Sequence, residues 1–207
     1  MNSYQRPKQI VSNILMLESP SHSEDDDLLR LISAGDEVAF LEFYNRHQGP
    51  VYRFALQMSG KTEIAEEVTQ DVFVALMKAA KYDRDRGSVL AFLYGIARNL
   101  VLRSLDREKP YLTLLDDPGG EYTGRIADPH DLERELTRNE RIETLRKAVL
   151  ALPPAYREVV VLCDLHEMDY LEAAGVVGCA VGTIRSRLHR ARALLMEKMR
   201  ASERCAV

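Results

Sequence analysis

The sequence predicts an all-α protein with two helical domains joined by a flexible acidic linker. Apolar residues recur at three- and four-residue steps through most of its 207 positions, and no segment alternates like a half-buried strand. Glycine, proline and acidic residues concentrate over residues 111–132, which indicates the linker. The predicted folded parts are residues 24–110 and 133–203, and residues 1–23 are predicted to be a flexible extension.

The first predicted domain contains four helices, of which the first is short. Asp36 can cap the second helix, because an aspartate side chain accepts hydrogen bonds from the free amides of a first turn. We expect Pro50 to kink this helix and Thr62 to begin the third. The fourth helix should begin at Ser88, and Pro110 should end it.

The second predicted domain starts near Glu133, is interrupted at Pro153 and ends in a helix-turn-helix. The first helix of that motif is short, and Gly178 can adopt the left-handed conformation that ends it. The last helix has an apolar stripe at helical spacing: Ile184, Leu188, Ala191, Leu195 and Met199. This pattern predicts a helix that packs on the domain along one side and is exposed along the other.

The exposed side of the last helix is basic. Residues 181–192 contain four arginines and no acid, although the chain as a whole has a formal net charge of −4. An ordinary solvated helix mixes charges of both signs, and such a helix is the alternative interpretation. The absence of acids favours DNA binding, with this helix in a major groove. The negative net charge argues against a non-specific nucleic-acid coat.

A second basic patch extends from Lys81 to Lys109, and acidic stretches separate it from the last helix. Two basic patches set apart by acids indicate two separate nucleic-acid contacts.

The cysteines and the N-terminal segment limit the possible compartments and cofactors. Three cysteines and no evident signal peptide indicate a reducing cytoplasm. Cys163 and His166 form a lone C-x-x-H pair, which has too few ligands for a metal site, so a buried core position is favoured for Cys163. The apolar stretch 10–17 is too short to span a bilayer, and no membrane insertion is expected. No cofactor and no metal are predicted.

Five segments resemble, in the family's order, the extracytoplasmic-function (ECF) sigma factors of the sigma-70 family, the small alternative sigma subunits of bacterial RNA polymerase. Three segments are similar to region 2, and two to the region 4 helix-turn-helix: 35–40, 65–73, 91–100, 152–159 and 181–192. The resemblance implies a region 2 helical bundle in the first domain and region 4 in the second. It implies binding to the clamp region of core RNA polymerase, promoter recognition and opening at the −10 element. It also implies control by an anti-sigma factor in a stress or envelope response.

The resemblance assigns polymerase binding to the third helix, where acids lie beside apolar positions. The expected core polymerase contacts are Glu66, Glu67, Gln70, Asp71 and Phe73. From the residues alone, an ordinary solvated helix face remains the alternative.

The −10 element is expected to contact the second basic patch, whose loop the resemblance makes a base-capturing loop. The predicted contacts are Tyr82, Arg84, Arg86, Ser88, Phe92, Asn99 and Arg103. Aromatic rings and cations can hold an unpaired strand. Phe92 and Tyr94 have a core position as their alternative. The chain also departs from the family pattern: Phe92 stands where tryptophan is frequent, and Gly95 stands where a base is common.

The −35 element is expected to contact the exposed side of the last helix. Arg185, Ser186, His189 and Arg190 are predicted to reach bases, since arginine bonds guanine through two hydrogen bonds. Thr183, Arg187 and Arg192 are better placed for phosphates, which position a protein without specifying sequence.

Two other classes of protein remain for comparison. A helix-turn-helix regulator that binds DNA alone explains the last helix but neither the acidic third helix nor the first domain's basic loop. An enzyme is rejected, because the chain has no glycine-rich phosphate loop, metal-ligand constellation or nucleophile motif, and no catalytic residue is assigned.

Overall fold

The computed structural model describes residues 22–78, 82–83, 87–112 and 132–205. All regular structure in these residues is helical, as predicted. The elements are α1 (His22–Ser33), α2 (Glu37–Ser59), α3 (Thr62–Lys78), α4 (Val89–Leu112), α5 (Leu132–Leu150), α6 (Pro154–Val160), a π-helical turn (Val161–Leu165), α7 (Tyr170–Val177) and α8 (Val181–Cys205). We call α1–α4 the N-terminal bundle and α5–α8 the C-terminal bundle.

Helix α2 begins and ends where its sequence predicts. The Asp36 carboxylate accepts hydrogen bonds from the amides of Val38 and Ala39, at 2.9 and 3.0 Å. Gly60 ends the helix at φ +74°, a conformation that costs glycine little because it has no Cβ. Pro50 lies inside α2, and the helix continues through it.

Helix α1 packs on α2 through a charged cluster. Asp25 is buried, and its carboxylate lies 2.8 Å from Arg46 Nη1 and 3.1 Å from His47 Nε2. Burial raises the pKa of Asp25, but the close approach of His47 and the hydrogen bond and charge of Arg46 outweigh burial and hold that pKa below its ordinary value. The helix begins at His22, two residues before the predicted domain boundary, whereas the rest of the predicted extension lies outside the described residues.

Helix α4 differs from its prediction at its C-terminal end. It continues to Leu112, two residues beyond Pro110, so the prediction that Pro110 ends the helix is wrong. Proline in a final turn interrupts only the end of the hydrogen-bond ladder, which explains why the helix continues past it. The predicted acidic linker lies almost entirely in residues 113–131, outside the described residues.

The two bundles pack directly on each other. Helix α4 contacts α7, and α2 contacts both α5 and the π-helical turn. Arg157 donates hydrogen bonds to the carbonyls of Met58, at 2.7 Å, and Leu150, and so joins the end of α2 to the end of α5. Gly60 lies against Leu150, where an added Cβ would come within 2.8 Å of Leu150 Cδ1. The described residues therefore form one body with a continuous apolar core.

Candidate nucleic-acid and docking interfaces

The C-terminal bundle contains the predicted helix-turn-helix. The Asp169 carboxylate accepts hydrogen bonds from the amides of Leu171 and Glu172, at 2.7 and 2.8 Å, and caps α7. Gly178 ends α7 at φ +75°, which confirms the predicted left-handed glycine. The predicted apolar stripe on α8 is buried at Ile184, Leu188 and Ala191, where α8 packs on α6 and α7.

The opposite side of α8 presents four exposed residues, which we call the recognition face: Arg185, Ser186, His189 and Arg190. The Ser186 hydroxyl donates a hydrogen bond to the Thr183 carbonyl at 3.1 Å, so it already has a partner for its proton. Thr183 is half-buried at the start of the helix. The structure therefore brings together the four residues that were predicted to reach bases.

Arg187 and Arg192 lie beside the recognition face, and each forms an ion pair with an acid of the C-terminal bundle. Arg187 is half-buried, and its Nη1 lies 3.2 Å from Glu158 Oε1. Arg192 donates two hydrogen bonds to the Asp164 carboxylate, at 3.0 and 2.5 Å. Hydrogen bonding to Asp164 is the largest cause that raises the pKa of Arg192. A phosphate would have to compete with these acids, which the sequence pattern of α8 did not indicate.

In its described residues, the loop before α4 packs against that helix through Tyr82. Tyr82 packs against Phe92 with ring centroids 5.6 Å apart, and its hydroxyl donates a hydrogen bond to the Gly87 carbonyl at 3.0 Å. The Ser88 hydroxyl accepts a hydrogen bond from the Ala91 amide at 3.2 Å. Two predicted contacts, Arg84 and Arg86, lie outside the described residues.

Helix α4 and α7 form the two walls of a cleft of about 390 Å³. Phe92, Gly95 and Asn99 line it on the α4 side, and we call them, with the exposed Arg103, the α4 surface. The α7 wall contains Glu172, Gly175 and Val176. The Ser88 amide donates a hydrogen bond to Glu172 Oε1 at 3.0 Å, so a carboxylate of the C-terminal bundle occupies the N-terminus of α4.

Tyr94 belongs to the core, which decides between its two predicted placements. It is 3% exposed and stacks on Phe54 with centroids 4.8 Å apart. Its hydroxyl lies 2.8 Å from His166 Nδ1, and His166 Nε2 lies 2.8 Å from Gln57 Oε1. Burial, together with the charge of Arg53, lowers the pKa of His166 to about 4, so the ring is neutral and joins the two bundles by hydrogen bonds.

A buried ion pair also joins the two bundles. Glu158 on α6 is 4% exposed, and Arg98 on α4 donates a hydrogen bond to its Oε2 at 2.8 Å. The other oxygen accepts the bond from Arg187. One carboxylate thus links α4 to α8. Sequence reasoning missed Glu158, Glu172 and His166, because their partners lie at least 29 residues away in the chain.

Helix α3 is exposed at four of the five positions predicted to contact core polymerase, and we call these four the docking face: Glu66, Glu67, Gln70 and Asp71. The prediction that Phe73 belongs to this face is wrong. Phe73 is 2% exposed and packs edge-on against Tyr44, with ring centroids 4.7 Å apart. Helix α3 packs on both α2 and α4, which widens its buried arc to include residue 73.

A cleft of about 460 Å³ lies between α3 and α2 beside the acids of the docking face. Glu66 and Gln70 line it from α3, and Tyr44, Gln48 and Tyr52 line it from α2. The docking face is therefore an acidic ridge beside a concave, partly aromatic surface.

The cysteines are free thiols where they are described. Cys163 and Cys179 are half-buried, so Cys163 is less buried than predicted. Burial is the largest cause that raises the pKa of Cys163 to about 11, which keeps the thiol protonated. Both ring nitrogens of His166 lie within hydrogen-bond distance of protein groups. Within the described residues, no cluster of His, Cys, Asp and Glu could hold a metal ion.

The family models match the two bundles in order. Residues 43–110 match Sigma-70 region 2, and residues 142–195 match Sigma-70 region 4. Together the matches cover more than half of the chain, which places it in the sigma-70 family.

Individual relatives show which group within the sigma-70 family the chain belongs to. The chain is 28% identical over 178 residues to the ECF RNA polymerase sigma factor SigW of Bacillus subtilis, covering 83% of this chain and 95% of SigW. It is 30% identical over 171 residues to the ECF RNA polymerase sigma factor SigM of Mycobacterium tuberculosis H37Rv, covering 83% of this chain and 82% of SigM. The chain belongs to the ECF RNA polymerase sigma factors.

Solved structures agree in fold. CnrH, solved in complex with the cytosolic domain of CnrY, matches with a TM-score of 0.61 and 27% identity over 86% of this chain and 98% of CnrH. The sigma factor RpoE of Bartonella quintana, solved in complex with the anti-sigma factor NepR, matches in fold with a TM-score of 0.59 and 23% identity over 74% of this chain and 91% of RpoE. No helix in the described part of this chain meets the length and hydropathy of a bilayer span.

Proposed function

We propose that this chain binds core RNA polymerase in the bacterial cytoplasm and directs it to promoters, with the recognition face reading the −35 element and the α4 surface receiving the opened −10 element. One observation carries the proposal: a helix-turn-helix presents an exposed, acid-free face in a chain whose net charge is −4. The chain contributes recognition and no chemistry, because nucleotide addition belongs to the polymerase.

The recognition face suits duplex DNA. Arg185 and Arg190 are exposed on it, and each guanidinium can bond the O6 and N7 of one guanine in the major groove. A good pair of this kind discriminates against the wrong base by about 1–3 kcal/mol. The N-terminus of α8 adds partial positive charge near the phosphates, and Thr183 lies there.

The α4 surface suits single-stranded DNA. Phe92 offers a ring on which a base can stack, and Asn99 offers an amide that can bond a base edge or a phosphate. Gly95 leaves room for a strand to approach the backbone, since a Cβ there would meet nothing within 4 Å. In this structure, where the two bundles pack on each other, α7 forms the wall of the cleft that faces α4. A strand bound along α4 therefore requires the C-terminal bundle to move away.

The docking face suits a basic partner surface. Glu66, Glu67 and Asp71 are exposed on one helix, and charges at an interface set the association rate and select the partner. We assign this face to the clamp region of core polymerase. Phe73 has no part in it, because it lies in the core.

We assign control of this chain to an anti-sigma factor in a stress or envelope response. The solved structure of CnrH, which is similar to this chain over most of its length, contains the cytosolic domain of a second protein, CnrY. A protein that spans both bundles would keep α7 against α4. Such binding would block the −10 contacts without touching the recognition face.

Run-off transcription tests the proposed function. Purified bacterial core polymerase is assayed with and without the full chain on a library of genomic promoter fragments. Discrete start sites that appear only with the chain are expected, and they would reveal both promoter elements. Sequence-specific duplex binding by the chain alone, without polymerase-dependent starts, would instead support a stand-alone DNA-binding regulator.

Charge reversal on the docking face gives the matched test of polymerase binding. Glu67→Lys should weaken core polymerase binding about tenfold, since like charges in a docked interface repel. Glu197→Lys on α8 makes the same change in net charge at an exposed site outside the docking face. The affinity of a labelled chain for core polymerase is the measurement. Equal losses in both variants would contradict a specific role for the α3 face.

A further inference from the structure

Tyr170, the first residue of α7, lies against the recognition helix. Its ring faces Arg185, whose guanidinium carbon lies 5.9 Å from the ring centroid. This distance lies within the range of a cation–π contact. Tyr170 is 36% exposed, so the contact lies at the edge of the surface that would meet DNA.

The ring is itself held in place by the fold. The Asp169 cap fixes the first turn of α7, which begins at Tyr170. The Tyr170 hydroxyl also interacts with Arg192 and contributes to the raised pKa of that guanidinium, after the larger effect of Asp164. Arg192 donates two hydrogen bonds to the Asp164 carboxylate. A connected set of side chains therefore extends from the π-helical turn through Arg192 and Tyr170 to Arg185.

The two arginines of this set differ in whether their N–H donors remain available to bind DNA. Arg192 points its N–H donors at a carboxylate, whereas Arg185 presents its cation to an aromatic face. A ring face restrains a guanidinium without using its N–H donors. Arg185 is thus restrained while its donor edges stay available for a base. A restrained side chain loses less entropy on binding than a free one, and Arg is long and flexible.

We propose that Tyr170 is a specificity-determining residue that positions Arg185 for two hydrogen bonds to a guanine in the −35 element. This inference rests on the proposed function, in which the recognition face reads that element. Tyr170 acts through Arg185 and makes no base contact of its own in this role. Its removal should therefore weaken discrimination at the one base that Arg185 reads, and should leave the other base positions unchanged.

The test uses the full chain bound to core polymerase and a promoter library in which every −35 position is varied. Four variants are compared with the native chain: Arg185→Ala, Tyr170→Leu, Tyr170→Phe and the double variant Tyr170→Leu/Arg185→Ala. Leu171→Ala is the matched control, because Leu171 is the next residue of α7 and is highly exposed. Tyr170→Gln is a second variant without an aromatic ring, in case Tyr170→Leu fails to fold by circular dichroism.

Arg185→Ala should lower discrimination at one −35 position by about 5- to 150-fold. Tyr170→Leu should lower it at that same position by about 2- to 5-fold, and should have no further effect in the Arg185→Ala background. Tyr170→Phe should keep most of the discrimination, because the ring remains. The slope of log affinity against log salt should not change in Tyr170→Leu, since no phosphate contact is lost.

Each other outcome has a distinct meaning. An equal loss at all −35 sequences, or a reduced salt slope, would make Tyr170 a structural residue or a phosphate contact and would overturn the proposal. The proposal is also overturned if Tyr170→Leu leaves the position read by Arg185 unchanged, or if its effect persists without Arg185. If Arg185→Ala changes discrimination nowhere, the −35 assignment of Arg185 fails first, and with it this inference.

Discussion

The two surfaces that we propose for DNA binding in this sigma factor differ in how accessible they are. The recognition face on α8 is exposed, and the residues that hold α8 in place, Glu158 and Asp164, belong to its own bundle. The α4 surface instead shares a cleft with α7, and Glu172 of α7 occupies the N-terminus of α4. The proposed −35 contacts are accessible in this structure, whereas access to the proposed −10 contacts depends on where the C-terminal bundle lies.

Beside the apolar core that they share, the two bundles are joined by polar contacts that can be exchanged for contacts with water. Arg98 with Glu158, Tyr94 with His166, and Ser88 with Glu172 are polar pairs that water can replace after separation. A typical hydrogen bond contributes only about 0.5–1.5 kcal/mol in net terms, because water competes for both partners. Interfaces between domains of one chain commonly have this polar character and permit relative motion. The difference between the two surfaces therefore predicts that polymerase separates the bundles.

The largest expected effect comes from breaking the ion pair that joins the two bundles. Glu158→Ala leaves Arg98 and Arg187 facing a buried site without their carboxylate, so the free energy of unfolding should fall by about 3–5 kcal/mol. Urea denaturation measures it. Glu143→Ala is the control, because the Glu143–Arg146 pair is only half-buried and should contribute less than about 1 kcal/mol. Equal losses in the two variants would show that Glu158 is an ordinary surface carboxylate.

A smaller effect is expected from pH, through His166. Its pKa is about 4 in the packed arrangement and about 6.5 when exposed, so the packed state binds the proton less readily. The contribution of neutral His166 is fully present above pH 6.5 and is lost as pH falls toward 4. The packed state should thus lose on the order of 3 kcal/mol across that window.

Two histidine variants isolate this effect. His166→Gln removes the titrating group and should flatten the pH dependence of the unfolding midpoint between pH 6.5 and 4 relative to the native chain. His189→Gln replaces an exposed histidine on the recognition face and should leave that pH dependence unchanged. If His166→Gln and the native chain lose stability in parallel, His166 is not the titrating group.

The smallest expected effect concerns access to the α4 surface alone. Glu172→Ala removes the carboxylate that accepts the Ser88 amide, so it should weaken the contact between α7 and α4 by about 1 kcal/mol. The chain without polymerase should then bind a single-stranded −10 oligonucleotide about fivefold more tightly. Glu197→Ala, which also removes one exposed acid, controls for net charge. Equal gains in the two variants would assign the effect to charge rather than to access.

Local features of the fold were predictable from the sequence because their physics is local. The Asp36 cap, the left-handed Gly178 and the apolar stripe of α8 each follow from a few neighbouring residues. The prediction that Phe73 is exposed for docking was wrong because α3 packs on two helices, and the pattern of one helix does not show how wide its buried side will be. The prediction that α4 ends at Pro110 was wrong because a proline in the last turn of a helix interrupts few of its hydrogen bonds.

The sequence predicted which exposed residues form the candidate sites, but not how those residues contact distant parts of the chain. The exposed arginines of α8 followed from helical spacing, and the acids of α3 did likewise. Helical spacing did not predict that Glu158 bonds Arg187 or that α7 forms a wall opposite Phe92. Each of these features depends on tertiary packing between distant segments. Composition predicted two domains and a linker, but no local pattern shows that two domains pack on each other.

A distance measurement between the bundles tests the central claim most directly. Spin labels are attached at Glu63→Cys on α3 and Glu197→Cys on α8, both exposed sites, after the three native cysteines have been replaced. Double electron–electron resonance is recorded for the free chain and for the chain bound to core polymerase. We predict one short distance population for the free chain and a longer one with polymerase. The same distance in both states, or a long distance already in the free chain, would contradict the account.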